Sequence, residues 1–302
     1  MDFQRFKAGP DDAGRRTDRI LRRLFPDTPL SALYSLIRRG LIRVNGKGVT
    51  PGFLLRGGDV ISAPAFLGGP EQKPGGGGPG DFPFVMETLF CSRDLRIIAK
   101  PAGLCVHAGP GVPSVAGWLT SLETPESLAF VPAPLHRLDK GTTGALVCSR
   151  SIRGAVWFSQ ALRERRIRKR YLAIAQGSPA GEETWDEGLE RESGSIPERA
   201  VTVMRPLGKG AFLGLGVFLA EFTIGTGRKH QIRKHSALHG FPLLGDSRYG
   251  GAGTGGQGYF LHGAEIAFPG DNPLGAPPSV SAPLPEAFRA MLETCGLGGL
   301  LG

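Results

Sequence analysis

Asp139 lies between Arg137 and Lys140 in the segment His136-Arg137-Leu138-Asp139-Lys140-Gly141-Thr142-Thr143-Gly144. The apolar run Ala145-Leu146-Val147-Cys148 follows and reads as a strand. The acid therefore belongs at a loop–strand junction and not on a solvated helix face. A carboxylate held beside arginine stays ionised. An ionised carboxylate can serve as nucleophile or base. Spacing alone also permits an ordinary Arg–Asp surface pair in a turn.

Further blocks stand at ordered positions along the chain. They are Lys100-Pro101-Ala102-Gly103-Leu104 with Val106-His107, then Arg168-Lys169-Arg170-Tyr171-Leu172-Ala173, then Glu198-Arg199-Ala200-Val201-Thr202. Next come Thr226-Gly227-Arg228-Lys229-His230-Gln231-Ile232-Arg233-Lys234-His235, Gly245-Asp246, and Tyr249-Gly250. Leu261-His262 and Ala282-Pro283-Leu284-Pro285 close the series. Together with the Asp139 segment, these blocks resemble the motifs of the RluA-type pseudouridine synthases, in that family's order, over about residues 90–288. Thr143 stands where many members have Ser, and Lys229 and Lys234 stand where Thr and Val are common. The Val106-His107-Ala108-Gly109 segment and the front end look most like the RluC branch, which modifies large-subunit (23S) ribosomal RNA.

The resemblance implies a reaction and roles. Pseudouridine formation breaks the N1–C1′ bond of a uridine in RNA, turns the base, and joins C5 to C1′. It is redox-neutral and consumes no water, so no cofactor is expected. Asp139 would be the catalytic carboxylate, attacking C1′ or C6 or removing the C2′ proton. Arg233 would pair with it, and Tyr171 would pack on the uracil and serve as a later proton acceptor. Arg137 would fill the space of a flipped base, and Ile232 would form an apolar pocket wall. Lys169 and Arg228 would contact the substrate. Without the resemblance, Tyr171 reads as a core aromatic and Arg137 as a phosphate contact.

The elements that must position these residues follow from periodicity. Arg96-Ile97-Ile98-Ala99 reads as a strand before a Pro-Gly turn. Ala155, Phe158, Ser159 and Leu162 mark a helix that turns basic at Arg163, Arg165, Arg166 and Arg168. Residues 171–175 form a strand, and Leu213 to Ile224 is another strand-like run. Residues 233–239 read as a helix ending at Gly240. Strands dominate, which favours an α+β fold with a mainly antiparallel sheet, also the pseudouridine synthase fold that the resemblance implies.

The chain has 302 residues and a formal net charge of +9. The charge is uneven: residues 1–66 hold 12 Lys/Arg and 6 Asp/Glu, two-thirds of the excess. A positive balance favours a polyanion. Ile20, Leu21, Leu24 and Phe25 have helical spacing, with arginines between them. Leu30, Leu33, Leu36 and Ile37 mark a second helix, with Ser31 near its start and Gly40 as its stop. Residues 41–44 form a short strand, Asn45-Gly46 signals a hairpin, and Val60-Ile61 supplies a closing strand. This order, basic on one face, resembles the S4 RNA-binding domain. Arg19, Arg22, Arg38, Arg39, Arg43 and Lys47 are its candidate RNA contacts; for each, a plain solvated face is the competing reading.

The expected organisation is an S4-like domain at residues 1–66, a Gly/Pro-rich linker at 67–82, and a catalytic domain at 83–302. The glycine run in the linker lacks the Gly-Lys-Ser/Thr ending of a phosphate loop. The linker predicts two parts that move separately, and a chain beginning near Asp81 that folds alone. No apolar run approaches the ~20 residues that span a bilayer, and no signal-peptide core is present. Four scattered cysteines argue against a disulfide framework or zinc ribbon and for a reduced, cytoplasmic setting. The expected partner is RNA, ribosomal RNA above all, met by a monomer; no membrane is expected.

Two other readings stay open. One is a non-catalytic RNA-binding protein of ribosome assembly that keeps the motifs for shape. The other is a metal hydrolase built on His230, His235 and His239, although no His-Glu-x-x-His pattern accompanies them. No metal is expected, and His136 and His262 read as structural.

Overall fold

The computed structural model describes residues 1–68, 82–109, 111–122, 127–128, 130–190 and 195–301. The Gly/Pro-rich stretch at 69–81 lies outside the described residues. The chain divides into two compact units.

The first unit comprises Met1–Pro83, Ala116–Ala133 and Arg150–Arg153. Its helices are α1 (Thr17–Leu24) and α2 (Leu30–Arg38). Strands β1 (Phe3–Lys7), β2 (Arg43–Val44), β3 (Lys47–Gly48) and β4 (Val60–Pro64) form an antiparallel sheet in the order β1-β4-β2-β3. The apolar stripe of α1 is buried at Ile20, Leu21 and Leu24, and joins Leu33, Leu36, Ile37, Ile42, Val44 and Ile61 in one core. The period of 3.6 thus decides which arginines stay outside. At the hairpin, Asn45 and Gly46 both take positive φ, 51° and 75°, as a primed two-residue turn requires. Ser31 is the second residue of α2, near its start as expected, and Pro29 stands at the cap. The strand expected at 41–44 is shorter, and β1 was not anticipated; its five residues carry only two apolar side chains, too few for a periodic signal. Asp12 is fully buried and accepts from Gly9 N, Ser127 Oγ and Leu128 N at 2.8, 2.7 and 2.8 Å. Residues 127–128, distant in sequence, are therefore part of this unit.

The second unit comprises Phe84–Val115, Pro134–Ser149 and Gly154–Gly302. Its strands are β5 (Glu87–Cys91), β6 (Leu95–Lys100), β7 (Thr143–Ser149), β8 (Arg168–Gln176), β9 (Glu183–Leu189), β10 (Glu198–Phe212), β11 (Leu215–Ile224), β12 (Leu261–Ala267) and β13 (Ser279–Ser281). They form a nine-stranded sheet, ordered β5-β6-β7-β12-β8-β11-β10-β9, with β13 paired to β12. Among the described residues only the β7–β12 pair of strands is parallel. Of the remaining helices, α3 (Val115–Leu122) belongs to the first unit beyond Val115, while α4 (Ile152–Arg163, from Gly154 on), α5 (Gln231–Leu238) and α6 (Glu286–Thr294) belong to the second. The α+β class with a mainly antiparallel sheet is the one expected. One core gathers Ile97, Val147, Phe158, Ile167 and Ile266; another gathers Leu172, Ile174, Leu219, Phe288 and Leu292.

Two boundaries differ from expectation. Leu213 and Gly214 have φ of 50° and 80° and make the turn between β10 and β11, so the strand begins at Leu215. The helix expected at 233–239 begins two residues earlier, at Gln231, whose side chain ties α5 to β10. Gly144 explains the Thr-Gly after Asp139. It pairs with Gly263 where β7 meets β12, and a Cβ there would lie 2.2 Å from Gly263 O.

Candidate active site

Asp139 sits in the turn that leads into β7, where Thr142 N donates to its carbonyl at 3.0 Å. A buried lysine fixes that turn. Lys100, 1% exposed, donates from Nζ to Pro101 O, Leu104 O and Lys140 O at 2.7, 2.8 and 3.3 Å. Gly103 N adds a bond to Lys140 O at 2.8 Å. Burial pushes the Lys100 pKa down to about 8, opposed by the fields of Cys105 and Asp139. Leu138 is buried, so the backbone is held and the Asp139 carboxylate is turned toward a cleft of about 490 Å³.

The facing wall comes from α5 and the loop before it. Arg233 Nη1 stands 3.7 Å from Asp139 Oδ2, and His230 Nε2 stands 3.7 Å from Asp139 Oδ1. The expected Arg233–Asp139 pair is thus a long ion pair. The closer partner of Arg233 is Asp246, which accepts from Nε and Nη2 at 2.7 and 2.8 Å. The guanidinium also lies over the rings of Tyr259 and Tyr249, 4.1 and 5.0 Å from their centroids. Burial opposes the charge of Arg233, but the Asp246 bonds and the neighbouring Tyr259, Asp246 and Asp139 raise its pKa overall. Gly245 shapes the Asp246 loop: its φ is +86°, and a Cβ there would meet Gly258 O at 1.9 Å.

Tyr171, on β8 between β11 and β12, is 6% exposed and lines the cleft. Its hydroxyl has no hydrogen bond among the described residues. Burial, then the field of Asp139, raises its pKa, so the phenol keeps its proton. Ile232 and Ile224 add apolar wall. Lys169 lines the same cleft at 7% exposure, and burial pushes its pKa down to about 8. Arg137, Arg163 and Arg165 are exposed where they line the cleft, and Arg228 beside them is half-buried. Arg228 is held by an ion pair to Glu198 and a bond to Arg199 O. Gln231 ties this loop down: its Nε2 donates to Val201 O and Thr202 Oγ1, and its Oε1 accepts from Thr226 Oγ1 and Arg228 N.

The structure thus gathers Asp139, Arg233, Tyr171, Arg137, Ile232, Lys169 and Arg228 around one cleft. The candidate contacts Arg19, Arg22, Arg38, Arg39, Arg43 and Lys47 are all exposed, and they belong to the first unit. Reasoning from the sequence missed roles for Asp246, Tyr259, Tyr249 and Gln231. Asp246 had a signal, a lone acid behind a glycine in a block matched to the family; Tyr259 stands outside every block.

The remaining histidines divide. His136 accepts from Val147 N at Nε2, 3.0 Å, and burial, reinforced by Lys169, pushes its pKa down to about 3. His262 bridges Thr143 Oγ1 and Ala282 O, and burial pushes its pKa down to about 4. His235 reaches Thr202 and His239 reaches Glu187, while His230 turns to Asp139. Among the described residues no three His, Cys, Asp or Glu side chains are placed to hold a metal ion. The four cysteines are free thiols. No helix among the described residues is long and apolar enough to cross a membrane.

The chain is similar to known proteins. A model of the RNA pseudouridylate synthase family matches residues 94–238, and a model of the S4 domain matches residues 15–61. Ribosomal large subunit pseudouridine synthase D of Xanthomonas campestris pv. campestris is 33% identical over 253 residues, covering 80% of this chain and 74% of that protein. Ribosomal large subunit pseudouridine synthase C of Escherichia coli (strain K12) is 29% identical over 310 residues, covering 94% and 93%. Among solved structures, human RNA pseudouridylate synthase domain containing 4 shares the fold, with TM-score 0.57 and 23% identity over 69% of this chain and 92% of that one. The family model and the relatives show that the chain belongs to the RNA pseudouridylate synthase family and carries an S4 domain in its first unit.

Proposed function

We propose that this isomerase converts uridine to pseudouridine in large-subunit ribosomal RNA, as a cytoplasmic monomer without a cofactor. The observation that carries the reading is Asp139 in the cleft, each carboxylate oxygen faced by one donor at 3.7 Å, with Tyr171 on the wall and arginines at the rim. The names of the relatives point to the large ribosomal subunit.

In this reading the target nucleotide leaves its stack and its uracil packs on Tyr171 and Ile232. Arg137 takes the space left behind. Lys169 and Arg228 meet the nucleotide's oxygens; Lys169 has no anionic partner among the described residues. Asp139 attacks C1′ or C6, or removes the C2′ proton; N1–C1′ breaks, C5–C1′ forms, and C5 then loses its proton. Tyr171 holds its own proton in the free protein. It can take the C5 proton only by passing its own to a neighbouring acceptor, and Asp139 is the carboxylate whose field reaches it. A water-poor cleft strengthens each of these interactions.

The test is to map pseudouridines in ribosomal RNA from cells with and without the gene, and to treat the unmodified RNA with purified protein. One or more large-subunit sites should vanish without the gene and return on treatment. Unchanged maps, or conversion confined to other RNA, would refute the substrate.

A further inference from the structure

His230 directly precedes α5 and sits in the left-handed region, at φ 56° and ψ 29°. That backbone is uncommon for residues other than glycine, with asparagine, aspartate and histidine the most frequent exceptions. The ring is 12% exposed. Its Nδ1 lies 2.8 Å from Tyr249 Oη, and its Nε2 faces Asp139 Oδ1 at 3.7 Å. Arg233, three residues on, faces the other oxygen at the same distance. Neither nitrogen is within hydrogen-bond range. The carboxylate is thus oriented from both sides while its lone pairs stay available.

The ring's proton can be placed. The groups facing it are Asp139, Arg233, Arg248, Lys229 and Tyr249. Burial, aided by the three cations and opposed by Asp139, lowers the pKa of His230, so the neutral ring prevails. A neutral imidazole carries one proton. On Nδ1 it would leave a lone pair aimed at the carboxylate. On Nε2 it points at Asp139, and Nδ1 accepts from the Tyr249 hydroxyl. The Tyr249 hydroxyl can donate or accept and so permits both tautomers; the carboxylate facing Nε2 favours the proton there.

We infer that His230 is a positioning residue for Asp139: its Nε2–H dipole, with the Tyr249 hydroxyl against its Nδ1, and the charge of Arg233 steer the carboxylate from both sides across 3.7 Å, without a hydrogen bond. This rests on Asp139 being the catalytic carboxylate. The restraint keeps one oxygen aimed at the nucleotide, and misplacement by about 1 Å costs on the order of a hundredfold in rate.

Two substitutions separate this role from a purely structural one. In His230→Gln the new side-chain amide nitrogen reaches about as far as Nε2, but glutamine suits the left-handed backbone poorly. His230→Asn suits that backbone best, yet its amide stops near the Nδ1 position. If His230 only shapes the turn, Asn should outperform Gln. If it restrains Asp139, Gln should keep most of kcat, and Asn should lose on the order of a hundredfold with KM unchanged. Equal kcat for the two, Asn exceeding Gln, or a change in KM alone would overturn the inference. Nitrogen-15 NMR of the wild-type protein is a second readout that needs no variant to fold. Nε2 should be protonated and Nδ1 bare at neutral pH, and the opposite tautomer or a doubly protonated ring would also overturn it. Asp139→Asn in the same assay guards the premise: if it turns over normally, the Asp139 reading fails first, and separately.

Discussion

Arg233 gives two nitrogens to Asp246, at 2.7 and 2.8 Å, and presents only the third to Asp139, at 3.7 Å. The bidentate bond clamps the guanidinium plane. Tyr249 and Tyr259 lie over it, and α5 carries it. Asp139 is therefore offered a positive charge that is already held elsewhere. A carboxylate held at hydrogen-bond distance would have to give up that bond before using the same lone pair; one at 3.7 Å does not.

Asp139→Asn should abolish uridine conversion and leave RNA affinity near wild type. The substitution keeps shape and removes charge, while affinity rests mainly on phosphate contacts. Conversion at near wild-type rate, measured by pseudouridine content after treatment, would disprove the assignment.

Asp246→Ala should be as damaging as Arg233→Ala. Each leaves one member of a buried pair alone, at about 3–5 kcal/mol of stability, and Asp246 is 1% exposed. Both should lower the melting temperature and lose activity. Arg233→Lys should rescue only in part, because a lysine cannot make the two-pronged bond. An Asp246→Ala protein with wild-type melting and turnover would show that the clamp is dispensable.

The elements that carry this site were legible because they are local in sequence, while the roles came from the family resemblance: by themselves Asp139 also reads as a surface pair and Tyr171 as a core aromatic. The Asp139 segment, the strand at Tyr171 and the turn of helix at Arg233 each carry their own periodicity and charge. What was hidden is long-range. Asp246 and Tyr259 reach Arg233 only because the 245–259 loop folds back, and no pattern around residue 259 announces a ring over a guanidinium. Nothing beside Lys100 in the sequence shows that its ammonium is bonded to three carbonyls beneath the turn that carries Asp139. The same limit hid the make-up of the first unit. The grip of Asp12 on Ser127 and Leu128 joins positions 115 and 116 residues apart.

Lys169→Met should stabilise the protein and weaken its action on RNA. Burial pushes the Lys169 pKa to about 8, below its ordinary 10.5. At pH 7 the ammonium is charged in both folded and unfolded chains, so the folded state bears the full penalty, roughly 3 kcal/mol. As pH rises from about 8 to 10.5 the folded lysine releases its proton while the unfolded one keeps it, and stability rises. Methionine has no such penalty. Denaturant titrations at neutral pH and near the upper end of that window should show the variant ahead at neutral pH, with the gap narrowing in alkali. A variant less stable at neutral pH would mean that the ammonium is satisfied.

The basic face of the first unit should set the salt dependence of RNA binding. Removing residues 1–80 is a poor test, because Asp12 and the core around Leu33 and Ile61 also hold Leu128. Such a truncated chain should be destabilised, contrary to the expectation from the linker alone. Replacing the exposed Arg19, Arg22, Arg38, Arg39, Arg43 and Lys47 by glutamine leaves that core intact. Each lost phosphate contact should lower the slope of log affinity against log salt by about 0.7–0.9. If all six touch phosphates, the slope should fall by roughly 4–5, while turnover on saturating RNA stays near wild type because the cleft is unaltered. An unchanged slope with the fold preserved would show that these six side chains form a solvated face, and the substrate would then be held by the cleft arginines alone.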